Sequence, residues 1–462
     1  MYVRSLVASL AIVLMPFSHS FAHSDHATVG TTPMGGLGGA SKKSIDTPIE
    51  IHNRYGEAYY FESPSNDEEK YVNLGYASLN VFHYLDAYRA FKAAYTINND
   101  SVDALVGLIL SVNQQARSQA ERKLAADYYK EIQRVKNDHG LSAKEAAWAG
   151  VVGALYFGEG NPADAVAKLQ AEDGDNVEFL VSLNWILMNS RARAQADAVA
   201  DFKKALQKYP NHAGANHFLL HMSEGANDIP AAQAYGKILI KSAVGSAHGQ
   251  HMYGHTLPQT GKWQEALDMF LIAHKIHLDY EQKYQIPLFE DWHYAHNLDL
   301  MAATYLGLGN SAEALKLWQE AMPHDGRAIA KVIGLALAKN DFALAKKLIS
   351  TQKAVSPNSV VLFEQELNFL ENGTAMSQFG RDAFSQINQI LLAIESGQAT
   401  FAQYKDAIEG YFVQSLTSGG FDGWSHSFVE LLRLRNIAQK LGVTEFVTLA
   451  DDIDAKAKTG TL

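Results

Sequence analysis

From Glu68 onward, apolar and small residues recur at fixed intervals between polar positions, in a period too long for one helix and too regular for loops. In the unit that begins at Glu68, Tyr71, Leu74, Gly75, Ala87, Phe91 and Ala94 occupy offsets 4, 7, 8, 20, 24 and 27. The pattern returns as Gly153, Gly160 and Ala165 in a unit from Ala146, and as Ala198, Phe202, Ala205 and Pro210 in one from Phe179. Gly254, Gly261, Ala266, Phe270 and Ala273 carry it in a unit from Ala247. Gly309, Ala314, Trp318 and Ala321 carry it in a unit from Ala295, and Ala345, Ile349 and Pro357 in a weaker one from Gly326. Starts at 179, 213 and 247 are 34 residues apart. Small residues at helix crossings with an aromatic wedge toward the next pair predict a row of helix hairpins. Roughly 14 extra residues between Lys275 and Glu290 lengthen the flanking helices or add a loop.

These offsets resemble the tetratricopeptide repeat. The resemblance implies an all-α, right-handed solenoid of about eight helix hairpins over residues 68–358, with a helical C-terminal extension over 359–462 as its cap. Residues 23–67, rich in Gly, Ser, Thr and Pro, read as a flexible lead-in, and residues from Ala455 as a frayed tail.

The chain has 462 residues, 47% hydrophobic and 19% charged, enough apolar material for an extended core. Arg4, an apolar run from Ser5 to Phe17 and Ser20-Phe21-Ala22 have the layout of an export signal over residues 1–22. A periplasmic or secreted protein is the expectation. No later stretch is apolar for long enough to span a membrane. The absence of cysteine removes disulfides, thiolate ligands and thiol catalysis. A net charge of −11 offers no basic footprint for nucleic acid.

Ten of the 18 histidines lie between His212 and Asp299. His217 and His221 are four apart; His248, His251 and His255 are three and four apart; His293 and His296 are three apart, so each group shares one helix face. In the repeat register, His217 and His221 fall at offsets 5 and 9, His248, His251 and His255 at 2, 5 and 9, and His296 at 2. These offsets face the concave groove, as does Glu224 at offset 12. Helices packed about 8–10 Å apart allow four or more imidazoles to converge.

Three readings follow. Neutral imidazoles clustered in this way suit one divalent transition metal or a close pair. The ligands would be His217, His221, His248, His251, His255 and His296, with Glu224 as ligand or proton acceptor, and copper would be favoured over zinc or iron. An enzyme would need an open coordination position, which the sequence does not establish. A metal-free groove would instead bind a peptide or partner protein through histidine donors, and a buried histidine would simply be satisfied by a backbone carbonyl. The zincin motif is excluded, because Phe218 and Met252 stand where its glutamate belongs.

The segments His212 to Glu224 and His248 to His255 also resemble exported bacterial tetratricopeptide-like proteins. Those carry a His-Pro-Gly-Ala-x-His-x-x-x-His-x-x-Glu segment followed by His-x-x-His-Met-Pro-x-His. Here Ala213 replaces the first proline, and Tyr253-Gly254 replaces the later Pro-x. Leu79 to Phe91, with His83, is similar to that group's first repeat, and the resemblance covers roughly residues 68–320. It implies the clustering and no particular reaction. After signal cleavage, His23 with His26 would offer a histidine-brace fragment. Ser425 and His426 lack a nucleophile-elbow context.

Overall fold

The structure, a computed structural model, describes residues 40–113, 119–377, 379–380, 382–417 and 420–462. The export signal, His23 and His26 lie outside the described residues. Among the described residues the chain is all-α, in antiparallel helix hairpins. It divides into two compact units. One holds the described part of Thr32–Gly254 together with Met269–Asn297, and the other His255–Asp268 with Leu298–Leu462.

In the first unit Asp67–Asn80 pairs with Tyr84–Ile97, Val102–Asn113 with Gln119–His139, and Ala143–Tyr156 with Pro162–Asp173. A π-helical turn, Phe179–Leu183, runs into Asn184–Asn189, which is followed by Gln195–Lys208; Ala213–Gly225 then pairs with Ile229–Ser242. The helix starts follow local chemistry. The Asn66 side chain accepts from the Glu69 N–H, Ser142 and Glu145 form a reciprocal capping box, and Asp228 accepts from the Ala231 N–H. The repeat's small positions are where backbones approach closely. The fully buried Phe91 ring sits where a Cβ on Gly75 would lie 2.5 Å away, and a Cβ on Gly107 would collide with the same ring. Gly107→Ala overpacks this wedge and should destabilise the chain by about 1–3 kcal/mol. An unchanged urea midpoint would show that the ring has room to move.

Two sequence expectations are corrected in this unit. Residues 40–61 do not form a flexible lead-in: Ile49, Tyr55, Ala58 and Tyr60 are buried, and the Tyr55 hydroxyl donates to Asp86 at 2.8 Å. Apolar and aromatic burial outweighs the ordering entropy in a segment without helical period. The expected groove is also filled at the histidine faces, because Asp67–Asn80 packs directly on Ala213–Gly225. A Cβ on Gly214 would overlap the Asn80 side chain, and Phe82 lies 5.9 Å from Phe218 between ring centroids. The extra residues after Lys275 lengthen one helix to 22 residues, Trp263–Tyr284.

In the second unit, Asp299 accepts from Trp318 Nε1 and from Lys331 Nζ, each at 2.6 Å, and all three side chains are buried. The helices beyond Ser359 pack in the same unit, where a buried Glu366–Arg433 pair joins Val361–Asn372 to Gly420–Leu441. The tail is not frayed. Thr444–Thr459 is helical, Ala457 is buried, and Trp263 Nε1 donates to the Lys458 carbonyl at 2.7 Å. Gly261 and Gly460, at φ +71° and +67°, meet there backbone to backbone, a contact that side chains would block.

Candidate metal centre

The centre lies in the first unit. Ala213–Gly225 starts at His212, whose Nδ1 accepts from the Ala215 N–H at 3.2 Å and whose Nε2 therefore donates to Glu178 at 3.0 Å. One turn on, His217 and His221 share a face; Ala247–Thr256 supplies His248. His217 Nε2 lies 2.9 Å from His221 Nε2 and 2.9 Å from His248 Nε2, and the ligating atoms of the trio all fall within 4.8 Å of one another. All three side chains are buried.

One tautomer here is fixed by chemistry. His217 Nδ1 is 2.7 Å from the Asn80 carbonyl, which can only accept, so the proton is on Nδ1 and the lone pair on Nε2 faces the other two rings. Asn80 is itself held. Its amide donates to Glu178 at 2.9 Å and accepts from the Ser182 hydroxyl at 2.7 Å, while Glu178 also accepts from the Tyr59 N–H. Burial alone would raise the Glu178 carboxyl, but His212, Ser182 and Tyr59 outweigh it and lower it. This buried network orients the His217 ring through its far nitrogen.

Phe82 closes the trio from the loop after Asp67–Asn80. Its ring centroid lies 4.6 Å from His217, 5.1 Å from His248 and 5.8 Å from His221. It adopts φ +58°, a left-handed conformation that costs a bulky residue of order 1–3 kcal/mol and that tertiary packing must offset. The apolar cover over the three rings is therefore held at an energetic cost. Trp185 adds a second apolar wall 5.6 Å from His221.

Burial favours the neutral form of His248 and His293. Burial, followed by His293, His217, His251 and His221, holds His248 well below the usual histidine value. Burial brings His293 down to about 4 against the raising effect of Asp291. At Asp291 burial acts upward, and His277 and His293 overcome it to hold the carboxyl well below its usual range. Neutral imidazole is the form that binds metal.

The other sequence candidates are placed as follows. His251 and His296 pair at 4.7 Å between ring centroids, and His251 adjoins His248 at 5.5 Å. His255 is buried one turn after His251 and is the first residue of the other unit, where its ring lies 6.3 Å from Phe421. Glu224 is partly buried on the turn beyond His221 and is not part of the converging trio. Sequence reasoning missed the Asn80 carbonyl, Phe82 and Asp291. Only Asp291 had a readable signal, a carboxylate two residues before a histidine pair.

No protein-family model matches this chain, and neither does any curated protein. Among solved structures it is similar to yeast Tom70, at 14% identity over 71% of this chain and 69% of that one, with a TM-score of 0.38. It is also similar to the tetratricopeptide domain of P58(IPK), at 12% identity over 84% and 99% of the two chains, with a TM-score of 0.24. Among the described residues no helix is long and apolar enough to cross a membrane.

Proposed function

We propose that this chain is an exported metalloprotein of tetratricopeptide-like architecture in which Nε2 of His217, His221 and His248 bind a divalent transition-metal ion. The observation that carries the reading is the fixed His217 tautomer, which aims a lone pair at two neighbouring Nε2 atoms 2.9 Å away. Three neutral imidazoles around one point can share protons only imperfectly, and a cation satisfies all three lone pairs together. The spacing suits an ion. Metal–nitrogen bonds of about 2.0–2.1 Å put tetrahedral ligand atoms roughly 3.3 Å apart, so the two 2.9 Å contacts of His217 need to open by only about 0.4 Å. Copper would bind most tightly in equilibrium competition, with zinc and iron weaker. Were two ions held, His251 and His296, paired at 4.7 Å between ring centroids, would serve the second.

The test is metal analysis of untagged full-length protein, followed by chelation and reloading. Roughly one to two equivalents of copper, zinc or iron are expected. No binding tighter than micromolar would sink the reading. It would leave the role that helix-hairpin arrays commonly serve, binding a peptide or partner protein on a surface other than the buried histidine faces.

A further inference from the structure

We propose that Glu178 is a positioning residue of the metal centre, acting on the His217 ring through Asn80 and on the start of its helix through His212. The inference rests on the metal-binding reading above. Glu178, Asn80, His212 and His217 are all buried. Glu178 directly precedes the π-helical turn Phe179–Leu183, and its two carboxylate oxygens serve different elements. Oε1 accepts from the Tyr59 N–H at 2.9 Å and from His212 Nε2 at 3.0 Å. Oε2 accepts from Asn80 Nδ2 at 2.9 Å. Donors thus meet both oxygens, an arrangement that suits an ionised carboxylate, which can only accept.

The Asn80 branch sets the ring. Asn80 is the last residue of Asp67–Asn80, where the final carbonyls have no partner within the helix. The turn amides of Val81, Phe82 and His83 take the carbonyls of Ser78 and Leu79, whereas the Asn80 carbonyl meets His217 Nδ1 at 2.7 Å. The Asn80 side chain is gripped at both ends, Nδ2 by Glu178 and Oδ1 by the Ser182 hydroxyl at 2.7 Å, and this fixes the residue whose carbonyl aims the ring. That carbonyl also lies at the negative end of the helix dipole. It draws on the Nδ1 proton and so makes the Nε2 lone pair more basic.

The His212 branch sets the backbone. His212 Nδ1 caps the Ala215 N–H in the first turn of Ala213–Gly225, and Glu178 anchors that cap through Nε2. One carboxylate therefore holds both the ring of His217 and the helix from which it projects. Glu178→Gln keeps the size of the side chain but removes this fit. Whichever way the new amide turns, its NH2 group faces a donor: the Tyr59 N–H and His212 Nε2 on one side, or Asn80 Nδ2 on the other.

Full-length protein titrated with Cu2+, alongside thermal melts with and without the ion, tests this. Glu178→Gln should bind Cu2+ about 10- to 100-fold more weakly at unchanged stoichiometry, the effect of disturbing an outer partner rather than removing a ligand. The rise in melting temperature on adding Cu2+ should shrink with it, which a purely structural role would not produce. Asn80→Ala keeps the backbone carbonyl but breaks its link to Glu178. It should also weaken binding, and the double variant should bind no more weakly than Glu178→Gln alone. A Glu178→Gln protein with a lower melting temperature but wild-type Cu2+ affinity overturns the positioning role. Losses that multiply in the double variant overturn the route through Asn80. If Glu178→Gln fails to fold, Asn80→Ala decides by the same affinity criterion. Wild-type protein that binds no Cu2+ overturns the metal-binding reading itself, an outcome distinct from variants that bind as wild type does.

Discussion

His217→Ala is expected to cost the chain its metal: affinity should fall by more than about 100-fold, the upper end of what loss of an outer partner costs. His217 is the common member of both 2.9 Å contacts, and its outer nitrogen is held by the Asn80 carbonyl, so no neighbouring ring can take over its place. Removing it leaves His221 and His248 without the atom between them. Helical content should be retained, because alanine suits a helix interior and the repeat's packing wedges lie elsewhere. Isothermal titration with Cu2+ and Zn2+, with circular dichroism as the fold control, measures both. A folded variant that binds like wild type would rule out the trio as the site.

The metal-free protein should lose stability on acidification through a window set by its buried imidazoles. His293 is lowered to about 4 when folded, and a histidine in the unfolded chain titrates near its ordinary value of about 6.5. Below pH 6.5 the unfolded chain therefore binds the proton first, and the unfolding free energy falls with pH until the folded form also protonates near pH 4. That stabilisation is fully present above pH 6.5 and worth about 3 kcal/mol from this residue alone, with His248 acting in the same direction. Asp291 acts in the same sense, since its carboxyl is lowered, but its contribution is lost only as the pH falls below the ordinary carboxylate value and so outside this window. Urea unfolding of chelator-treated protein between pH 7 and pH 4 should show the decline. With metal bound the decline should steepen, because several ligands must be protonated as the ion leaves. A flat stability profile over this range would contradict neutral burial of the cluster.

The hairpins were legible because their packing residues are local and periodic. Phe91 against Gly75 and Phe270 against Gly254 are the contacts that the offsets predict. The histidine spacing was legible for the same reason, placing His217 and His221 on one helix face. What lay out of reach was burial, because the atoms that hold and cover these rings come from the loop of the first hairpin, at Asn80 and Phe82, and no period links residues so far apart. The stretch from Ile49 to Phe61 was misread because it packs without regular structure. Its density of aromatic residues, Tyr55, Tyr59, Tyr60 and Phe61, was the available signal. The C-terminal end was misread because its partner, Trp263, is remote in sequence.

The Asn80–His217 contact also bears on how the first unit folds. In an ideal helical repeat each hairpin meets only its neighbours, so ordering can begin anywhere and end hairpins open first. Here Asn80 meets His217 across 137 residues and Glu178 across 98, so the first hairpin cannot complete its contacts until the fourth and fifth have formed. Such non-local closure raises the contact order and slows folding relative to a plain stack. It also changes local opening. The amides of Asp67–Asn80 should exchange with solvent in one cooperative event with those of Ala213–Gly225, rather than fraying by themselves, when followed by native-state hydrogen exchange.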